Sequence, residues 1–247
     1  MPDRRTHRGA HPDDERIFAP SAVPALRSAV ADLSLLLTRG YAEKSSLKLV
    51  GDRHDLTQRQ REAVLRCSCA DGPLRSRAQR RVEAGGLGGR RVALDGYNVL
   101  ITLEAAMGSG LVFLGRDGCC RDLASIHGTY RKVAETRPAV ELLGAFLERA
   151  GASDVLWLLD SPVSNSGRLK FLIEEAAGRA RWPWSARLHA NPDAELLASP
   201  AIVASSDGIV LNGCGPWVNL VRAVIERDVP DARIIDLSLA GGPQDVT

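Results

Sequence analysis

Residues 90–104 read RRVALDGYNVLITLE: paired arginines, a short apolar run, then Asp95, Gly96, Tyr97 and Asn98. A brief apolar run closed by a glycine turn has the pattern of a buried strand. Ending such a strand on a carboxylate is costly unless something satisfies the charge. The same pattern recurs downstream. Candidate strands are RVALDG (91–96), DVLWLLD (154–160), SARLHA (185–190), AIVASS (201–206) and ARIIDL (232–237). Segments of helical period alternate with them: RDLASIHGTYRKV (121–133), RPAVELLGAFLERAG (137–151), GRLKFLIEEAAGRA (167–180), PDAELLAS (192–199) and GPWVNLVRAVIERDV (215–229). Strands alternating with amphipathic helices predict an α/β fold with a parallel sheet wrapped by helices. A hairpin over residues 100–118 is expected to interrupt it after the first strand.

Upstream of residue 89 the pattern differs. Residues 1–18 are polar and without period, and are expected to form a disordered arm. Val23, Leu26, Val30, Leu33 and Leu37 recur at helical spacing, and Thr57 with Gln60 forms a capping-box pattern opening a second helix. Residues 71–90, with four arginines before EAGGLGGRR, read as a flexible connection. The division is therefore an arm (1–18), a basic helical domain (19–88) and an α/β domain (89–247). Residues 1–90 carry 17 Lys+Arg against 11 Asp+Glu, and residues 91–247 carry 15 against 19. That asymmetry fits a part that attracts a polyanion joined to one that holds cations. Arg59, Arg61 and Arg66 on the helical part serve equally as a nucleic-acid grip or as a solvated face.

A chain that is 45% hydrophobic and 25% charged is an ordinary globular sequence. No apolar run is read as approaching the roughly 18 residues of a membrane span, and the polar start lacks a secretory core, so a cytoplasmic protein is expected. Cys67, Cys69, Cys119, Cys120 and Cys214 lack repeated zinc-site spacing and are read as reduced thiols.

Acids at the carboxyl ends of strands sit where ligands bind in open α/β sheets. Asp95 and Asp160 close strands, Asp207 follows one, and Asp193 opens a short helix. Together they would suit Mg²⁺ or Mn²⁺, hard ions that take oxygen ligands. Asn98 is placed to orient a carboxylate or a water. Ser164, Asn165 and Ser166, with Arg168 and Lys170 just beyond, resemble a phosphate-handling helix start. His127, Tyr130 and Arg131 add a possible acid, a stacking ring and a cation near a substrate.

The ordered motifs VALDGYNVL, VLWLLDSP, NPDAELL and AIVASSDGIVL resemble the NYN branch of the PIN-like ribonucleases over about residues 90–240. The whole chain resembles a little-characterised group in which a basic helical domain of unknown function precedes such a domain. The resemblance implies a three-layer α/β/α fold and a metal-dependent ribonuclease. In it Asp95, Asp160, Asp193 and Asp207 hold the ion, with Asn98 and Ser206 beside them and RNA as partner. The alternative is a catalytically inactive RNA-binding adaptor. A protein partner or self-association is left open.

Overall fold

A computed structural model describes residues 7–124 and 130–239. In chain order the helical region comprises α1 (Asp14–Ile17), α2 (Val23–Thr38), α3 (Glu43–Arg53), α4 (Gln58–Cys67) and α5 (Asp71–Arg80). Then follow β1 (Arg81–Val82), β2 (Arg91–Asp95), α6 (Gly96–Met107), β3 (Leu111–Leu114), β4 (Cys120–Arg121), α7 (Thr136–Arg149) and β5 (Asp154–Asp160). The chain continues through α8 (Ser166–Ala180), β6 (Trp184–His189), α9 (Pro192–Leu197), β7 (Ile202–Ala204) and α10 (Gly208–Gly213). It closes with β8 (Trp217–Val218), α11 (Leu220–Asp228) and β9 (Arg233–Asp236).

Six strands form a parallel sheet in the order β1-β8-β7-β2-β5-β6. Both faces are covered, as a parallel sheet requires. Alternation along the strands makes the two faces: Val92, Leu94, Val155, Trp157 and Leu159 pack with α6, α7, α8 and α11. Ala93, Leu158, Val203 and Trp217 pack with α9 and α10. The expected α/β architecture with a central parallel sheet and a preceding helical region is the one found. Gly96 lets the chain turn out of β2 beside β5, since a Cβ there would lie 2.7 Å from the Leu158 carbonyl oxygen.

Several expected elements differ. The stretch 100–107 is helix rather than half of a hairpin. It is buried on nearly every side from Val99 to Ala106, so it carries no amphipathic period to read. The hairpin is β3 with β4, and β9 joins β3 in a second, three-stranded sheet instead of extending the first. Residues 121–124 and 130–135 are not helical, and the rest of that segment lies outside the described residues. The expected flexible connection is α5 and β1, and β8 precedes the last helix inside a segment read as wholly helical.

The helical region is no separate bead. Leu26, Val30, Leu33, Val64 and Cys67 share a core with Leu111, Phe113 and Leu237 of the second sheet region. Thr57 and Gln60 form the expected capping box. Pro20–Thr38 is long and apolar enough to cross a membrane by length and composition, contrary to the reading above, yet its apolar stripe lies in this core. Nor are residues 7–18 a free arm. Phe18 is buried edge-on to Phe113 at 4.7 Å, Arg59 grips Asp14 at 2.5 Å, and Arg8 reaches the buried Glu104 at 2.7 Å. Those anchors pair residues far apart in sequence, which local period does not report. Residues 1–6 lie outside the described residues.

One buried ion triad joins these parts. Asp117, in the β3–β4 turn, accepts from Arg77 of α5 and from Arg121 at 2.6 and 2.8 Å. Burial alone would raise its carboxyl, but Arg121, Arg77 and the Cys119 amide hold it well below its ordinary value of 3.8. A depressed carboxylate contributes stability above its unfolded value and loses it as pH falls further. Asp117→Asn is therefore expected to cost about 3–5 kcal/mol at neutral pH, because two arginines stay buried without their partner. Urea unfolding should also show a shallower acid dependence below 3.8 than in the wild type. Equal stability at pH 7 would mean that the triad does not hold the parts together.

Candidate active site

β2 is flanked by β7 and β5, and all three run parallel, so their carboxyl ends form one edge. Asp95 ends β2, Asp160 ends β5, Asp207 follows β7, and Asp193 lies in the first turn of α9, which leaves β6 at the same edge. The register pairs Leu94 with Ala204, which brings Ser205 beside Asp95. Its hydroxyl donates to Asp95 Oδ2 at 2.7 Å and accepts from the Asp207 amide at 2.9 Å. Asn98 Oδ1 accepts from both the amide and the hydroxyl of Ser206 at 2.8 Å. Arg121 Nε donates to the Ser206 carbonyl at 2.8 Å. The turn before Asp207 is thus tied from three sides.

The acids feel one another. Burial raises Asp95 to about 7, Ser205 opposes the rise, and the charges of Asp207, Asp193 and Asp160 add to it. Asp193 is raised by burial, then by Asp207 and Asp160; Asp160 is raised by burial. Among the described residues none of the four forms an ion pair, although Asp14, Asp52, Asp71 and Asp117 each have an arginine. Also among the described residues, no three of His, Cys, Asp or Glu converge as a ready metal cage. The four acids therefore share a field at the strand ends.

Each has a local setting. Asp207 caps α10, accepting from the Ile209 and Val210 amides at 2.7 and 3.1 Å. Asp193 caps nothing, because Asn191 takes that place on α9. Tyr97 stands next to the acids: its phenol is raised to about 12 by burial and by Asp160, and its hydroxyl is buried, with no hydrogen-bond partner among the described residues. Ser205 and Tyr97 were missed in the sequence. The strand register would have indicated Ser205; nothing in the local pattern marks Tyr97.

Other expected site residues divide. Arg131, Asn165 and Arg168 line one cavity of about 280 Å³ beside the β5–α8 loop. Ser164, Ser166 and Lys170 do not line it. Ser166 is buried in the first turn of α8, and Lys170 faces Glu174 at 3.7 Å. Ser206 is buried with its amide, hydroxyl and carbonyl engaged, so it supports the turn instead of meeting a substrate. Asn98 acts likewise through its oxygen. Tyr130 is no exposed stacking ring: it is buried, with its hydroxyl bonded to Glu104. His127 lies outside the described residues.

A larger groove of about 620 Å³ opens between the helical region and the acid edge, lined by Leu65, Arg66 and Cys69 on one side and Asn98, Asp207 and Ile209 on the other. Its arginines are engaged: Arg66 holds Glu62 and the Asp122 carbonyl, while Arg77 and Arg121 hold Asp117. Arg59, Arg61 and Arg80 are occupied within the fold as well. The arginines nearest the groove are thus committed to contacts within the fold.

Comparison with known proteins fits this division of the chain. The family described as "Domain of unknown function (DUF5616)" matches residues 84–223, a span holding all four acids and the smaller cavity. "Protein of unknown function (DUF434)" matches residues 25–80, the helical region. The chain is similar to "Uncharacterized protein MJ0935" of Methanocaldococcus jannaschii, 27% identical over 187 residues that cover 76% of this chain and 89% of the relative. No solved structure matches.

The Asp95 carboxyl makes a stability test of the site. Unfolded it ionises near 3.8 and folded near 7, so folding binds a proton between these values and stability falls as pH rises through that window. Asp95→Asn keeps the acceptor for Ser205 without the charge. It is expected to be more stable than wild type at pH 8, by up to roughly 3 kcal/mol, and to lose that advantage by pH 4. Thermal unfolding across this range checks it; a variant less stable at pH 8 would overturn the reading of Asp95 as a charge kept at a cost.

Proposed function

We propose that this chain, which belongs to the family described as "Domain of unknown function (DUF5616)", is a metal-dependent ribonuclease of the PIN-like kind. The observation that carries the proposal is the edge of four carboxylates without a counter-cation among the described residues, Asp95 among them buried and raised by the other three. Protein folds rarely leave such charge uncompensated, and acids gathered at the ends of parallel strands mark a ligand position. The donors are oxygen throughout, which fits Mg²⁺ or Mn²⁺. RNA as substrate rests on the resemblance to the NYN branch.

In this reading Asp95, Asp160, Asp193 and Asp207 would hold the ion. Bound there, a divalent cation would supply Lewis acidity toward a phosphodiester and would relieve the mutual repulsion of the acids. Ser205 orients Asp95 and, through the Asp207 amide, the turn that carries Asp207. Asn98 and Arg121 fix that turn by gripping Ser206 from opposite ends of its peptide unit. The groove between the helical region and Asp207 would admit the strand, with Arg66, Asn98 and Asp207 among its lining.

The test is incubation of the full chain with labelled single-stranded RNA, with Mn²⁺ and with chelator. Cleavage is expected only with metal, absent in Asp95→Asn and Asp207→Asn, and reduced roughly 10- to 100-fold in Asn98→Ala, which loosens the Ser206 turn without removing a ligand. Asp154→Asn, at the opposite end of β5, should cleave as wild type does. RNA binding with no cleavage and no metal dependence would overturn the nuclease and favour the adaptor.

A further inference from the structure

The smaller cavity, about 280 Å³, lies beyond Asp160 across the loop that leads into α8. Its interior is apolar, formed by buried Leu169, Leu172 and the Tyr130 ring. Its rim is cationic: Arg131, Lys132 and Arg168 are all exposed, and among the described residues none of the three makes an ion pair. Glu175, which senses Lys132, is already held by Arg137 and Arg179 at 2.6 Å each. In the helical region, by contrast, Arg59, Arg61, Arg66 and Arg77 are each matched to a carboxylate. Three cations gathered round a concave site without counter-charge favour an anion.

The cavity is also joined to the acid edge. Asp160 and Asn165 bracket one short loop, and Asn165 holds a left-handed φ of +70° while its amide donates to the Tyr130 carbonyl at 3.0 Å. The Tyr130 ring lies 5.3 Å from that of Tyr97, whose phenol senses Asp160. At the low end of the range for small-molecule sites, roughly 300–1,000 Å³, the cavity fits one nucleotide and not a strand. An apolar floor suits a base or sugar, and three cations suit a phosphate carrying close to two charges more than a diester carrying one.

We infer that the cavity framed by Arg131, Lys132 and Arg168 binds a terminal phosphorylated nucleotide, anchoring one end of the substrate while the acids act further along. The identity of that substrate as RNA rests on the function proposed above; the nucleotide site itself does not. Calorimetry of the full chain without divalent metal, using adenosine monophosphate, adenosine and inorganic phosphate as probes, tests it directly. The monophosphate is expected to bind about tenfold or more tightly than either of the others. Arg168→Glu and Arg131→Ala, both at exposed positions, should each weaken it by a similar factor. Asp154→Asn, at the opposite end of β5, should bind the monophosphate as wild type does. Equal binding of adenosine, equal binding of inorganic phosphate, or indifference to both arginine variants would overturn the inference. Monophosphate binding by a chain that cleaves no RNA would support the cavity and overturn the nuclease reading alone.

Discussion

The arrangement of this molecule depends on a carboxylate buried between two arginines. Asp117 sits in a turn of the small sheet, Arg77 on the last helix of the helical region, and Arg121 on the strand after the turn. Taking three charges out of water is expensive, and the expense is tolerated only where each hydrogen-bonding group finds a partner. Here it does. Arg77 also reaches Asn212 and the Gly208 carbonyl, and Arg121 reaches the Ser206 carbonyl. The triad thereby fixes helical region, small sheet and Asp207 turn at once. An apolar contact of similar size would bind these parts as strongly but would not set their register.

That registration gives the acid edge its shape. Neighbouring parallel strands deliver carboxylates to one edge by topology alone, but topology does not aim them. Ser205 and Asn98 do so, each bridging β2 or α6 to the turn after β7. The result opposes stability: burial and three neighbouring charges raise Asp95 far above an ordinary aspartate. Helix starts at the same edge, α6 directly after Asp95 among them, offset part of this through their amide dipoles. The remainder is a standing demand for positive charge that the fold does not meet with arginine, although it has many.

Much of this was legible because it is local. The continuous apolar run of DVLWLLD and the strand-end aspartates state the parallel sheet and its edge, and Thr57 with Gln60 states a helix start. What was illegible is of two kinds. α6 is buried all round, so its sequence has no face and reads as strand or hairpin. The second sheet and the anchoring of residues 7–18 depend on contacts across one to two hundred residues, such as Leu111 with Arg233 and Arg8 with Glu104. Within the site the acids and Asn98 were visible, and the supports Ser205 and Arg121 were not. Ser205 was passed over for Ser206, because only register tells which of two adjacent serines meets Asp95.

The charge distribution needs the same correction. Counting arginines places the attraction for a polyanion in the helical region, yet a guanidinium bonded to a buried carboxylate or to helix-end carbonyls projects little field. Arg59, Arg77 and Arg80 hold the fold together. Three cations that form no ion pair among the described residues, Arg131, Lys132 and Arg168, stand in the nominally acidic half around a cavity one loop from Asp160. The acid edge holds uncompensated negative charge, and the cationic rim adjoins the loop that follows Asp160. A phosphate-bearing chain held by its end in the cavity would run from the positive site toward the negative one, where only a divalent cation lets a phosphodiester approach.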